Sequence, residues 1–227
     1  MKNESKEFCL EVWADSACFT RPEFKVERVS YEVITPSAAK GVFDAIFWKP
    51  AFKWQVTRIE VLNPIRMKSI RRNEVGALSS KKPIYAKDHY VQRNALILSD
   101  VHYRIWAKQN FIEPSKREVP QDTSERTDET PKKYETIFER RASRGQCFYQ
   151  PFLGCREFSA EFRLVNGNDP NLKRPITAAE GGTRDFGYML YGLDYKDPQK
   201  PQRLLYRVKM ENGVIMVPPN NSKEVLR

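Results

Sequence analysis

The triplet Lys132-Lys133-Tyr134 stands where a helix begins and sets ammonium groups beside a phenol. Such groups suit RNA cleavage without a metal. In that reaction the neighbouring 2′-OH attacks, a base takes its proton, cations hold the crowded phosphate, and an acid protonates the leaving 5′-oxygen. A free tyrosine titrates near 10, about three units above neutrality, so the phenol must be shifted or act by hydrogen bonding. The same triplet also reads as a charged first turn carrying a core tyrosine. Other chemistries find little here. There is no Walker loop, no G-x-G-x-x-G and no G-x-S-x-G. Asp15, Asp44, Asp88 and Asp100 are scattered, which offers no magnesium cluster. Cys9, Cys18, Cys147 and Cys155 form no C-x-x-C, and H-x-x-x-H is absent, so no metal and no cofactor are expected and the thiols read as small buried groups. His89 and His102 stand alone, and His102 reads as an ordinary polar contact from a strand.

Charge narrows the partner. Thirty-nine Lys and Arg against 29 Asp and Glu give a formal charge of +10, which biases the chain toward polyanions. The cations fall into three groups. Lys40, Lys49, Lys53 and Arg58 interleave with Phe43, Phe47, Trp48, Phe52 and Trp54. Arg66, Lys68, Arg71, Arg72, Lys81, Lys82 and Lys87 face only Glu74 and Asp88 between Pro64 and Val91. Lys132, Lys133, Arg140, Arg141 and Arg144 lead into Phe148, Tyr149 and Phe152, with Arg156 just beyond. Cations that hold phosphates beside rings that stack on bases are what single-stranded RNA recognition uses. The alternative, core aromatics under a solvated basic face, fits the same composition.

These groups need elements to position them. Phe8 to Trp13 alternates as a strand; Thr35 and Pro36 then cap and open a helix whose apolar stripe is Ala39, Val42, Phe43 and Ile46, ended by Pro50. Trp54 to Leu62 predicts a second strand with a bulge at Arg58, Pro64 to Arg93 a basic hairpin, and Val101 to Ala107 a third strand. Glu113 to Pro131 almost lacks large apolar residues and predicts an exposed loop. Lys132 to Ser143 predicts a second helix, and a fourth strand follows around Arg156 to Val165. The order is β-α-β-β-α-β, an α+β, ferredoxin-like (RRM-like) arrangement with an inserted hairpin. Phe186 to Tyr191, Leu204 to Met210 and Val214 to Val217 predict a small antiparallel sheet, the last two joined by an Asn212-Gly213 turn. The expected division is 1–166 for RNA binding and processing and 167–227 for the small β domain. No apolar run reaches the roughly 20 residues of a membrane span, and the polar start lacks a signal peptide. A cytoplasmic protein with reduced thiols and no membrane partner is therefore expected.

Several long runs are more specific. Ser30-Tyr31-Glu32-Val33-Ile34-Thr35-Pro36-Ser37-Ala38-Ala39-Lys40-Gly41, Ala45-Ile46-Phe47-Trp48-Lys49-Pro50, Ile70-Arg71-Arg72-Asn73-Glu74-Val75, and the stretch from Arg144 to Phe158 occur in order. Together they closely resemble the CRISPR-associated Cas-five family, Dvulg subtype, of type I-C Cascade complexes. The resemblance implies a ferredoxin-like N-terminal domain, a small C-terminal β domain, and metal-independent cleavage of the CRISPR repeat transcript at the base of its hairpin. It implies guide RNA and other Cascade subunits as partners, and double-stranded DNA is a further candidate. The family's cleavage site resembles a tyrosine before Trp/Tyr-Lys-Pro plus a Lys-His pair opening the second helix. Those positions fall at Phe47 and at Lys133-Tyr134. Phe47 lacks the hydroxyl and Tyr134 replaces the imidazole, while Lys133 is retained. Tyr134 then becomes the proton carrier, Lys133 the phosphate-stabilising cation, and Tyr31 a candidate for the missing hydroxyl. Lys40, Lys49, Arg66, Lys68, Arg71, Arg72, Arg140, Arg141, Arg144 and Arg156 become the RNA-binding candidates. A non-catalytic subunit capping the 5′ handle of the guide remains the alternative.

Overall fold

A computed structural model describes residues 5–24, 26–78, 83–117, 129–166, 172–195, 197 and 199–227. Its elements in chain order are β1 (Glu7–Ala17), α1 (Pro36–Ile46), β2 (Phe52–Val61), β3 (Arg66–Val75), β4 (Tyr90–Phe111), α2 (Pro131–Ser143), β5 (Glu161–Val165), β6 (Arg184–Asp194), β7 (Gln202–Glu211) and β8 (Val214–Met216). The result is a mixed α/β chain dominated by one antiparallel sheet, in the order β5-β1-β4-β2-β8-β7-β6, with β3 added to β4.

Local sequence explains most boundaries. The Thr35 hydroxyl accepts from the Ala38 amide at 3.3 Å, and Pro36 occupies the first turn of α1. Val42, Phe43 and Ile46 are fully buried along the stripe that the sequence predicted. The β2 register shifts between Val56 and Arg58, at the expected bulge. Asn212 and Gly213 both take positive φ, as the tight turn between β7 and β8 requires. A Cβ on Gly213 would also meet the Ile176 carbonyl oxygen at 2.7 Å.

Two boundaries differ from the expectation. The third strand is 22 residues long, because the returning arm of the hairpin runs without a break into the central strand. Its first half pairs β3, from Tyr90↔Val75 to Ser99↔Arg66. Its second half pairs β2, through Val61↔Tyr103 to Phe52↔Phe111. Asp100, with φ 52°, marks the change of partner. The fourth strand is shorter than expected, since the loop that follows Gly154 (φ 86°) runs on through Ser159 and occupies its first part. The C-terminal strands continue the main sheet through Arg58↔Met216, Ile59↔Ile215 and Glu60↔Val214.

Both helices pack on one face of the sheet around an aromatic cluster. Phe138 of α2 lies 4.6 Å from Trp54, 4.8 Å from Phe8 and 5.7 Å from Phe43, centroid to centroid. Phe43, Phe47, Phe52 and Trp54 are therefore core, whereas Trp48, Phe148 and Tyr149 are exposed. Burying large rings in edge-to-face contacts is a major source of stability in a core of this kind. Lys81 and Lys82 lie outside the described residues, as does most of the expected Glu113–Pro131 loop. No described helix is long and apolar enough to cross a membrane.

Candidate active site and nucleic-acid interface

The N-terminal turn of α2 sets Lys133 and Tyr134 on different sides. Thr130 caps the helix by accepting from the Lys133 amide at 3.3 Å, and Pro131 follows it. The buried face runs Tyr134, Phe138, Ala142, four residues apart, so Tyr134 points inward. Lys133 is exposed.

Tyr134 ends in an aromatic box with one polar wall. Its ring centroid lies 5.7 Å from Phe52 and 6.3 Å from both Phe47 and Phe111. Its hydroxyl donates to Glu129 Oε1 at 2.6 Å. The other carboxylate oxygen of Glu129 accepts from Arg117 at 2.7 Å, in a pair whose side chains are 2% and 7% exposed. Arg117 also donates through Nε to the Ile112 carbonyl at 3.0 Å and lies over the Phe111 ring. A phenol bonded to a carboxylate has an acceptor in place for its proton, and the arginine fixes that carboxylate in position.

Phe47 forms the far wall. It is the C-cap residue of α1, extended in backbone, and its carbonyl accepts from Trp54 Nε1 at 3.0 Å. It is 2% exposed, so its ring packs and offers no group to solvent. The Arg141 guanidinium stacks 5.1 Å from the Phe47 centroid and donates to the Ile46 carbonyl at 3.3 Å, satisfying an open end of α1. The structure thus brings together Phe47, Tyr134 and the Lys133 turn.

Tyr31 has different surroundings. Its ring is buried under Arg21, 4.7 Å away, and its backbone pairs with Phe19. Burial raises its phenol above the ordinary value, opposed by a backbone hydrogen bond from Leu190.

The basic candidates divide by what they touch. Lys49, Arg140, Arg144 and Arg156 are exposed on or beside the α1–α2 side. Lys40 is half-buried and pairs with Asp44 at 2.5 Å. In the hairpin, Arg66 approaches Asp100 at 4.0 Å, Arg71 donates to Asn94 at 3.2 Å, and Lys68 is exposed. Arg72 is tied to Glu157 and lies 3.7 Å from Glu74. Among the described residues no group of three His, Cys, Asp or Glu could hold a metal ion. The Glu11 carboxylate accepts from His102 Nε2 at 2.7 Å and from Arg163 at 2.8 Å.

Sequence reasoning missed Arg117 and Glu129. Both lie in the polar run expected to be exposed, yet both side chains are buried. Their only signal was position: opposite charges at either end of a loop, the acid just before a helix cap.

The chain has counterparts among known proteins. The family model described as "CRISPR-associated protein (Cas_Cas5)" matches residues 8–218. The chain belongs to the Cas5 family of CRISPR-associated proteins. Two relatives are named "CRISPR pre-crRNA endoribonuclease Cas5d". The one from Mannheimia succiniciproducens is 44% identical, over 96% of this chain and 97% of its own. The one from Thermus thermophilus is 38% identical, over 96% and 94%. A solved structure titled "Crystal Structure of CRISPR-associated Protein" superposes with a TM-score of 0.70 at 25% identity, covering 98% of this chain and 97% of that one.

Proposed function

We propose that this Cas5 protein is a metal-independent endoribonuclease that cuts CRISPR repeat precursor RNA at the base of its hairpin. It then stays on the mature guide RNA as a subunit of a type I-C Cascade. The observation that carries the reading is the convergence at the start of α2: Tyr134, hydrogen-bonded to Glu129, packs beside Phe47 with Lys133 in the same turn. The names of the two relatives support the same activity.

In this mechanism the 2′-OH attacks the adjacent phosphorus, the 5′-oxygen leaves, and a 2′,3′-cyclic phosphate results. The 2′-OH proton passes to the Tyr134 oxygen as the phenol hands its own to Glu129, and the same relay in reverse protonates the leaving 5′-oxygen, with Arg117 holding Glu129 in place. Lys133 stabilises the phosphate as charge builds. Phe47 contributes a packed wall in place of the family's tyrosine. Lys49, Arg140, Arg144 and Arg156 draw the RNA along the α1–α2 side, while Arg66, Lys68, Arg71 and Arg72 serve from the hairpin. The partners are repeat and guide RNA and other Cascade subunits, with double-stranded DNA as a further polyanion, in the cytoplasm.

We read β1-α1-β2-β4-α2-β5, whose strands lie in the order β5-β1-β4-β2, as a ferredoxin-like unit carrying β3 and the start of β4 as its inserted hairpin. Residues 1–166 form the RNA-processing domain in this reading, and 167–227 a small β domain docked through β8 on β2.

Two observations favour a second reading. Phe47 has no hydroxyl and Tyr134 is 6% exposed, as a scaffold that caps the 5′ handle without cutting would allow. Incubating the protein with its labelled repeat RNA in excess EDTA separates the two. Cleavage at one site, leaving a 2′,3′-cyclic phosphate, is expected; tight binding with intact RNA would establish the scaffold.

A further inference from the structure

A second concavity lies away from the Phe47–Tyr134 box, between α1 and the loop after α2. Its volume is about 370 Å3, within the range of about 300–1,000 Å3 typical of small-ligand sites. The loop forming its wall is fixed at both ends. The Phe148 and Tyr149 amides donate to the Ala45 carbonyl at 2.8 and 3.3 Å. The Cys18 amide donates to the Leu153 carbonyl at 3.1 Å. Gly154, at φ 86°, lies so close to the Cys18 carbonyl that a Cβ there would sit 1.9 Å from its oxygen.

The lining has an unusual chemistry for a protein with a charge of +10: it holds no charged residue. Tyr149 and Phe152 supply ring faces, and Thr20 and Ser37 supply hydroxyls that both donate and accept. The floor is Gly41 of α1, where a Cβ would meet nothing within 4 Å. Gly in a helix interior is disfavoured against Ala, and here it leaves the cavity open. A cation stands beside it instead. Arg156 is close enough to Tyr149 to oppose the upward shift that burial and Asp44 give its phenol, while Lys40, next to Gly41 in the chain, is paired with Asp44. One oxygen of Asp44, Oδ1, is buried without a hydrogen-bond partner. An exposed ring, neutral hydroxyls and a neighbouring cation suit one occupant: an unpaired base entering the cavity while its phosphates stay outside.

We infer that this cavity is a nucleobase pocket, holding one unstacked base of the bound RNA between Tyr149, Phe152 and Gly41, with Arg156 on a flanking phosphate. The inference rests on the RNA-processing reading and deepens it: beyond cutting, the protein reads one nucleotide of its RNA in a site separate from Lys133 and Tyr134.

The test fills the pocket and empties the RNA in turn. Gly41→Leu places a side chain in the open space and favours the helix, so its melting temperature should equal or exceed that of the wild type. Repeat RNAs carrying one abasic site at successive unpaired positions provide the other arm. Wild-type protein should lose about 10-fold or more in affinity at one abasic position, the scale of one stacked base. Gly41→Leu should show the same loss with intact RNA and no further loss at that position. Tyr149→Ala should behave as Gly41→Leu does. Equal affinity of Gly41→Leu and wild type for intact RNA would overturn the pocket and leave it to an aromatic side chain of a protein partner. So would additive losses from Gly41→Leu and the abasic site. If wild-type protein bound no repeat RNA, the underlying processing reading would fall, and the pocket with it. If wild-type protein bound and cut but tolerated every abasic position, the pocket alone would fall.

Discussion

The hairpin and the α1–α2 side are both basic, yet they use their cations differently. In the hairpin Arg72 is engaged with Glu157 and Glu74, and Arg28 reaches Glu74 at 3.4 Å and Glu157 at 3.9 Å. These pairs fasten the strands to the loop that carries Cys155 and Phe158, where Ile70, Ala95 and Ile97 also pack. On the other side, Lys49, Arg140 and Arg144 make no ion pair among the described residues, while Arg141 braces Phe47. A cation already satisfied by a carboxylate gains less from a phosphate than one facing water. The density of Lys and Arg in sequence therefore does not separate Arg72, which ties the hairpin to its neighbouring loop, from exposed cations such as Lys68.

The widest separation between the two regions should appear in cleavage. Lys133→Ala should cut repeat RNA on the order of 100-fold more slowly or worse, the scale of a lost catalytic proton-transfer or charge-stabilising group. Arg71→Ala in the hairpin should leave the single-turnover rate within about 3-fold, a difference of less than 1 kcal/mol in the barrier. Comparable losses in both would erase the distinction.

Stability gives the next contrast. Glu129→Gln strands a buried guanidinium, which typically costs about 3 kcal/mol; Arg72→Ala removes a partly exposed network and should cost about 1 kcal/mol. Urea unfolding of the two variants reads both values. A larger cost at Arg72 would mean that the hairpin, not the Arg117–Glu129 pair, anchors the fold.

Salt sharpens the comparison. Lys49→Ala, Arg140→Ala and Arg144→Ala should each lower the slope of log affinity against log salt by roughly 0.7–0.9 if each meets one phosphate. Arg72→Ala should change that slope less than any of them. Filter binding across a salt series distinguishes these outcomes.

The smallest effect concerns His102, on the sheet face turned away from the helices. Burial holds its pKa below the ordinary value despite Glu11. The unfolded chain then binds a proton that the folded chain refuses, so this group's contribution is complete above about pH 6.5 and is lost as pH falls through the lowered value. The Glu11 carboxyl is held below its usual range, since Arg163 and His102 outweigh the upward push of burial; its contribution is lost at lower pH still. Melting temperature should fall on acidification from pH 7 to 5, and His102→Gln should flatten that part of the profile.

Much of the frame was legible because it rests on local rules. The Thr35-Pro36 cap, the bulge near Arg58 and the Asn212-Gly213 turn each follow from a few neighbouring residues. What was hidden depends on long-range contacts. The length of β4 required knowing that both β3 and β2 pair with it. Whether Phe47 and Trp48 are core or surface depended on where α1 ends, since the adjacent rings are 2% and 55% exposed. Of the candidate site, the helix start that carries Lys133 and Tyr134 was readable from type and spacing. Its approach to Phe47 and the Glu129–Arg117 support were not, because no periodic pattern marks them.

The central claim is that Tyr134 transfers a proton although it is packed among aromatic rings. Tyr134→Phe keeps the packing and removes only the hydroxyl, so single-turnover cleavage and RNA affinity should be measured on it together. Cleavage reduced about 100-fold, with affinity within about 2-fold of wild type, is the predicted result. Undiminished cleavage would contradict the claim and return Tyr134 to the core.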